Sequence, residues 1–430
     1  MTVPPDPGRF LSPYRVLDLC DHRGLLAGRL LAQLGAEVIQ LEPPSGSPAR
    51  RLGPFASDAP EGEASLYWSA YAAGKRGITC DLTKKSGRAL LLQLAEQADF
   101  LLESADSGAM AALGLGPDRL WAANPRLVHV SISAFGSNGP KAGWAATDLT
   151  LWAAGGPMLP TQEGGKPPLR LSVPQAWLHA AADAAGGALV AHFARIASGH
   201  GQHVDISAQQ SVAQATLSSL LAAPLGHENF SIRPQPRSAV RPKLDLSGSG
   251  AQTRRSKWPV RDGLVELHLA MGPAAGRFTN NLFAWMAEEG TCDAAMAAWD
   301  WVTLPQRIEA GEVEEDDLER AREAVGRFLA GRDKRSLIEV AIRRKLLLAP
   351  VNTVQDLVES PHFAARGVLQ RIEEAPGRHR VLPGPFALTG APPPPPRPAP
   401  KPGEHNAEVY GGLLGLDAAT LTALTREGVI

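Results

Sequence analysis

The sequence predicts an α/β protein with a doubly wound large domain, a smaller α+β domain, and a chain that returns to the first. Two observations carry this expectation. Short buried strands alternate with amphipathic helices as far as residue 134, the order that builds a parallel sheet covered on both faces. At 430 residues the chain is also too long for one simple core, so two domains are expected.

Arg15–Leu19 reads as a buried strand and Leu25–Leu34 as a helix with apolar residues at helical spacing. Gly35 stops that helix, and Ala36–Leu41 returns as a second strand. So short a unit implies a parallel pair with a right-handed crossover. The pattern repeats in strand Gly77–Leu82, helix Lys85–Gln97, strand Asp99–Glu103 and strand Leu127–Ala134. The winding expected is Rossmann-like. No GxGxxG follows the first strand, however, so a dinucleotide site is not supported.

Ala176–Ala197 is a long Ala-rich helix ended by Gly199 and Gly201, followed by strand His203–Ser207 and a helix running to Ala223. Periodicity disappears over Gly226–Lys257, where Pro, Ser and Arg dominate. The domain plan is therefore 1–223 (large domain), 224–257 (linker or loop), 258–345 (small domain) and 346–430 (return to the large domain). The small domain opens with a strand pair around Asp262-Gly263 and ends near the charged helix Asp333–Lys345. Ala349–Leu357 and Pro383–Leu388 read as the returning chain, Pro392–Pro402 as an extended spacer, and Ala418–Glu427 as a last helix packed on the large domain.

Composition narrows the function. With 43 basic and 44 acidic side chains the formal charge is −1, which removes the electrostatic case for nucleic acid. Met1–Phe10 lacks a basic n-region and an apolar h-region. The apolar stretch Ala180–Phe193 is interrupted by Asp183 and His192, so no membrane span is expected. Cys20, Cys80 and Cys292 fit neither a disulfide framework nor a zinc motif, and a reducing cytoplasm is expected. His129, His192, His200 and His203 form no metal-ligand pattern; His129, in an apolar strand, reads as a core residue.

A series of motifs then points to one family. Val16-Leu17-Asp18-Leu19 leads to Leu31-Ala32-Gln33-Leu34-Gly35-Ala36-Glu37-Val38-Ile39, with Glu42-Pro43-Pro44 and Pro48-Ala49-Arg50 behind them. Gly74-Lys75-Arg76, Gly87-Arg88-Ala89-Leu90, Leu113-Gly114-Leu115, Asn124-Pro125-Arg126-Leu127-Val128 and Ser133-Ala134-Phe135-Gly136-Ser137-Asn138-Gly139-Pro140 follow in order. Ala349-Pro350-Val351-Asn352-Thr353, Pro361-His362-Phe363 and Gly403-Glu404-His405 close the series. In order and spacing the chain resembles the family III CoA-transferases, including the formyl-CoA and carnitine CoA-transferases and the α-methylacyl-CoA racemases. Ser256–Gly263 with Ala284-Trp285-Met286 is similar to the benzylsuccinate CoA-transferase branch. The resemblance implies CoA thioesters as substrates, no permanently bound cofactor, and two protomers interlinked as an interlocked dimer.

In that family an Asp attacks the donor thioester and forms a mixed anhydride, which CoA converts to an aspartyl thioester before the acceptor acid collects it. Aligned back from Gly199-His200-Gly201-Gln202 without a gap, that position holds Trp177, with Gly187 on a family glycine. An indole cannot form an anhydride. Asp183, before Ala184-Ala185-Gly186-Gly187, is the main rival. Six residues along a helix turn about 600°, so it points roughly 120° away from residue 177. Asp148 matches an acidic position beside the family's site, and Thr147 stands where the racemases keep a catalytic His, so the two-base chemistry of a racemase is not supported.

For CoA contacts, Lys75 and Arg76 follow the small-residue turn Ala72-Ala73-Gly74, a way to bring cations to a phosphate. His22 and Arg23, in the loop after the first strand, match CoA-contacting positions of relatives, and Lys141 lies in the Gly139-Pro140-Lys141 loop. Glu103–Gly108 stands where the family resemblance puts a loop whose aromatic packs near the adenine, so an acid takes its place near the CoA anion, and Gln40 replaces a usual Lys. Both changes weaken CoA binding. The reading that results is a non-catalytic subunit of a heteromeric CoA-transferase, partnered by a paralogous chain that carries the Asp. The alternatives are a homodimer using Asp183 or Asp148 as a displaced nucleophile, and an acyl-CoA-binding protein without turnover.

Overall fold

The computed structural model describes residues 10–57, 65–158, 167–170, 173–222, 256–375, 377–386 and 393–430. They divide into two compact units: one holds the described residues to 222 together with 361–430, the other the described residues 256–360. Nearly all of the expected 224–257 linker lies outside the described residues.

The large unit is built on six parallel strands, β1 (Arg15–Asp18), β2 (Glu37–Glu42), β3 (Arg76–Thr79), β4 (Phe100–Glu103), β5 (Val128–Ser133) and β6 (His203–Ser207), in the order β3-β2-β1-β4-β5-β6. This is the doubly wound order. Alternation in the strands separates two cores. Val16, Phe100, Leu102, Val128, Val130 and Ile132 face the helices α1 (Leu25–Gln33) and, later in the chain, Ala176–Ser198. Leu17, Ile39, Leu41, Ile78 and Leu101 face α3 (Lys85–Glu96) and the C-terminal helices, with α2 (Leu66–Tyr71) between β2 and β3. Three further helices of this unit are α4 (Ala109–Ala112), α5 (Pro117–Ala123) and α6 (Asp148–Gly155).

Helix α7 (Ala176–Ser198) is 23 residues long. Its alanines set how close it lies: Ala180, Ala181, Ala184, Ala185, Ala188 and Ala191 are all buried. Gly199 ends it in the left-handed region, φ 77°, where a side chain is strained. The opposite stripe is apolar yet uncovered, with Val190, Phe193 and Ile196 exposed, Phe193 by 78%. Helix α8 (Ala208–Ala213) and α9 (Leu217–Ala222) follow β6 in place of the single helix expected to Ala223.

The small unit centres on an antiparallel sheet of β7 (Lys257–Val260), β8 (Gly263–Leu267) and β9 (Leu348–Val351). Its core holds Trp258, fully buried, whose indole N–H donates to Leu267 O at 3.0 Å. Helices α10 (Gly276–Glu288), α11 (Ala294–Ala297), α12 (Leu304–Glu309), α13 (Glu315–Ala330) and α14 (Lys334–Arg344) surround it. The return to the large unit comes later than residue 346. Leu348 is buried opposite Leu267 and Val351 pairs with Leu264, so β9 completes the small sheet. The short α15 (Val354–Val358) also stays with it, through Lys334 bonded to Asp356.

From α16 (Pro361–Ala365) the chain is back in the large unit, where hairpin β10 (Leu369–Ala375) and β11 (Arg378–Pro383) is tied to α1 by Arg29 Nη2 on Pro383 O at 2.7 Å. The described part of the proline segment is docked rather than a free spacer. Pro400 O accepts from Arg50 Nη2 at 2.8 Å and from Trp68 Nε1 at 3.1 Å. Helix α17 (Asn406–Leu414) then packs on β3, with Tyr410 donating to Thr79 O at 2.8 Å, and α18 (Ala418–Arg426) packs on α17.

Candidate active site

Strand order reverses between β1 and β4, because β1 leads outward to β2 and β3 while β4 leads to β5 and β6. A crevice opens beyond the carboxyl ends of such strands, and ligands of open α/β sheets bind there. The loop after β1 supplies Asp21, His22 and Arg23; the loop after β4 supplies Ser104 and Asp106. The two loops are joined by hydrogen bonds. Asp21 N donates to Ser104 Oγ at 3.0 Å, and Ser104 Oγ donates to Asp21 Oδ1 at 3.0 Å.

Arg23 is the centre of the cluster. Its Nε donates to Asp21 at 3.0 and 3.1 Å, its Nη2 lies 3.0 Å from Asp21 Oδ2, and its Nη1 donates to Asp106 Oδ1 at 2.7 Å. Burial works against both charges, but the mutual bonds outweigh it: the Asp21 carboxyl is held below its usual range and the Arg23 guanidinium above. Tyr67 donates to His22 O at 2.9 Å and fixes the same loop. Burial, then Tyr71, Asp21 and Asp148, push its phenol up, so it serves here as a neutral donor. The His22 ring has Nδ1 3.7 Å from Asp21 Oδ1, beyond hydrogen-bond range.

Trp177 stands one residue into α7, with the Arg23 guanidinium carbon 5.9 Å from its ring centroid, a cation–π distance. It is 8% exposed and belongs to the core cluster with Leu151, Ala180 and Ala181. Asp148 is beside it but is already engaged. Its Oδ1 accepts from Gln175 N and Ala176 N at 2.7 Å each, supplying the cap that Gln175 itself does not. Asp148 is placed for this by α6, whose first turn is fixed by a capping box of Thr147 and Thr150. Asp183 lies farther down α7, half-buried, and accepts from Gln214 Nε2 at 2.9 Å.

The five residues read as CoA contacts do not converge. Lys75 is a correction: its side chain is fully buried, and Nζ bonds to Asp18 Oδ2 at 2.7 Å, Leu25 O at 2.9 Å and Gln40 Oε1 at 2.9 Å. An ammonium has three protons, so none remains for a phosphate. Gly28 makes room for this pair, since a Cβ there would come 2.0 Å from Asp18 Oδ2. Gln40, read as a lost cation, is the amide that receives Lys75. Arg76 begins β3 and pairs with Glu37 at 2.9 Å and Glu408 at 3.3 Å, at the amino ends of the strands and away from the crevice. Lys141 lies 5.7 and 5.5 Å from the ring centroids of Phe135 and Trp144. His22 and Arg23 alone stand at the switch point.

Asp21 and Tyr67 carry no reading in the sequence, and Ser104 only as part of the Glu103–Gly108 loop. Asp21 had a local signal, an acid two residues before Arg23 in a loop after a strand; the other two meet the loop from 83 and 45 residues away. On the sheet face beyond Glu103, Ser131 Oγ is 2.9 Å from His203 Nε2, and His129 Nε2 is 3.8 Å from Glu103 Oε1. Burial, then His203, lowers the His129 imidazole to about 3, so it is a neutral core residue. Among the described residues no group of His, Cys, Asp or Glu is placed to hold a metal ion, and no helix is long and apolar enough to cross a membrane.

The family model for CoA-transferase family III matches residues 11–406. The chain is 31% identical over 426 residues to succinyl-CoA:(R)-benzylsuccinate CoA-transferase subunit BbsE of Thauera aromatica, covering 98% of each chain. It is 30% identical over 436 residues to succinyl-CoA–D-citramalate CoA-transferase of Chloroflexus aurantiacus, covering 99% of each. A solved CAIB/BAIF family protein from Brucella suis has the same fold, with TM-score 0.74 and 24% identity over 94% of this chain and 100% of that one. Matched across its length by the family model and by these relatives, the chain belongs to CoA-transferase family III.

Proposed function

We propose that this chain is the non-catalytic subunit of a heteromeric CoA-transferase that moves CoA from an acyl-CoA thioester to a carboxylic acid. The observation that carries the reading is Trp177: an indole packed into the core, 8% exposed, where the family resemblance puts the nucleophilic Asp. The neighbouring carboxylates do not compensate. Asp148 caps α7 through two backbone amides, so its Oδ1 is already committed to the helix rather than to an acyl carbon. Asp183 is less than two turns away and on another side of the helix.

A relative described as a subunit supports a heteromer. The uncovered stripe of Val190, Phe193 and Ile196 on α7 supports a partner chain packed against it, in the interlinked manner the family resemblance implies. The names of the relatives support succinyl-CoA as donor and a dicarboxylate such as benzylsuccinate as acceptor. The test is a CoA-transfer assay with succinyl-CoA on the purified chain and on the chain co-expressed with a paralogue bearing Asp at the Trp177 position. Activity confined to the mixed assembly is expected. Full turnover by this chain alone would instead favour the displaced-carboxylate reading, and tight CoA binding with no turnover in either preparation the acyl-CoA-binding one.

A further inference from the structure

Arg23 is the cation that the β1 loop presents at the switch point, and its two sides are used differently. On the inner side Asp21, in the same loop, takes Nε and Nη2 and is itself anchored by Ser104. That pair is part of the loop. On the outer side Nη1 meets Asp106, which comes from the loop after β4, 83 residues on, and whose side chain is 88% exposed. Glu103, at the end of β4, is a third carboxylate within electrostatic reach of Arg23. An ion pair this exposed adds little to folding stability. Its position matters more: an anionic group entering the crevice would meet the guanidinium where the Asp106 carboxylate now lies.

We propose that Asp106 is a specificity-determining residue, an internal anion that occupies Arg23 and competes there with the phosphates or the carboxylate of an incoming ligand. The crevice of this chain thereby selects against anionic ligands, which gain Arg23 only as Asp106 swings into solvent. The inference rests on the CoA and acid chemistry of the proposed function but not on the silence of residue 177.

The test is equilibrium binding by isothermal titration calorimetry on the full chain, with CoA, succinate and neutral pantetheine as probes. Asp106→Asn keeps the shape and removes the charge; an Arg23→Met, Asp106→Asn double variant removes the subsite. We expect Asp106→Asn to bind one or both anions about twofold to fivefold more tightly, the range an exposed ion pair supports. Pantetheine should be unchanged and the gain should vanish in the double variant. A gain for CoA alone assigns the subsite to phosphate, a gain for succinate to the acid. No gain for either anion, a gain that survives loss of Arg23, or an equal gain for pantetheine would overturn the proposal. Turnover is not read in this experiment, so the failure of the non-catalytic reading, seen as acyl labelling of this chain, stays separate.

Discussion

Asp148 sits over the start of the helix that carries Trp177: its Oδ1 accepts the amide of Ala176 at 2.7 Å, together with that of Gln175. A carboxylate used in this way acts as a cap. Asp148→Ala should lower stability by about 0.5–2 kcal/mol, and Asp148→Asn, which keeps the acceptor, by much less. Urea unfolding midpoints of the two variants measure the difference. Equal losses would mean that the charge, not the acceptor oxygen, holds the helix.

Trp177 fills space in the core of the large unit. Trp177→Ala should cost about 3–5 kcal/mol, as other large-to-small core changes do, and Trp177→Phe less. Denaturant unfolding at fixed protein concentration reads both. A loss under about 1 kcal/mol for the alanine variant would place the indole outside the core.

Lys75 and Arg76 are adjacent in sequence and opposite in role. Lys75→Met leaves Asp18 buried without its cation and should cost about 3–5 kcal/mol. Arg76→Ala removes half-exposed pairs with Glu37 and Glu408 and should cost about 0–1 kcal/mol. Comparable losses in thermal or urea unfolding would contradict this assignment.

The His129 imidazole is neutral in the fold down to about pH 3, whereas in the unfolded chain it protonates near its ordinary value of 6.5. The unfolded state therefore binds the extra proton between these limits. Stability should fall as pH drops below 6.5, by up to about 1.4 kcal/mol per pH unit from this group. Glu103, raised by burial above 4.5, acts in the opposite sense just above that value, since there the folded chain holds the proton. His129→Gln should flatten the slope between pH 6.5 and 5. An unchanged slope in urea unfolding across that window would remove His129 as its source.

The alternating first half of the fold was legible because burial imposes its own period. Val16, Leu17, Val38, Ile39, Leu101 and Val130 must all be apolar, and each expected strand of that sheet lies within three residues of its place. The return point was not, because Leu348-Ala349-Pro350-Val351 reads the same whichever sheet it joins; pairing with β8 is a long-range fact. At the site, the residue types of the Asp21–Arg23 loop could be read where the chain leaves a strand. Composition did not reveal which way Lys75 points: a Gly-Lys-Arg turn presents a cation to solvent or to a buried Asp18 equally well. Nor could a sequence show Asp106 closing on Arg23 from 83 residues away. The absence of a carboxylate at 177, by contrast, needed no structure.

As the non-catalytic subunit we propose, this chain would carry no acyl group. The direct measurement is intact-mass and hydroxylamine trapping of each subunit after incubation of the mixed assembly with succinyl-CoA. We expect a hydroxylamine-sensitive adduct on the partner chain and none on this one. An adduct on this chain, lost in Asp148→Ala or Asp183→Ala, would contradict it and identify the nucleophile.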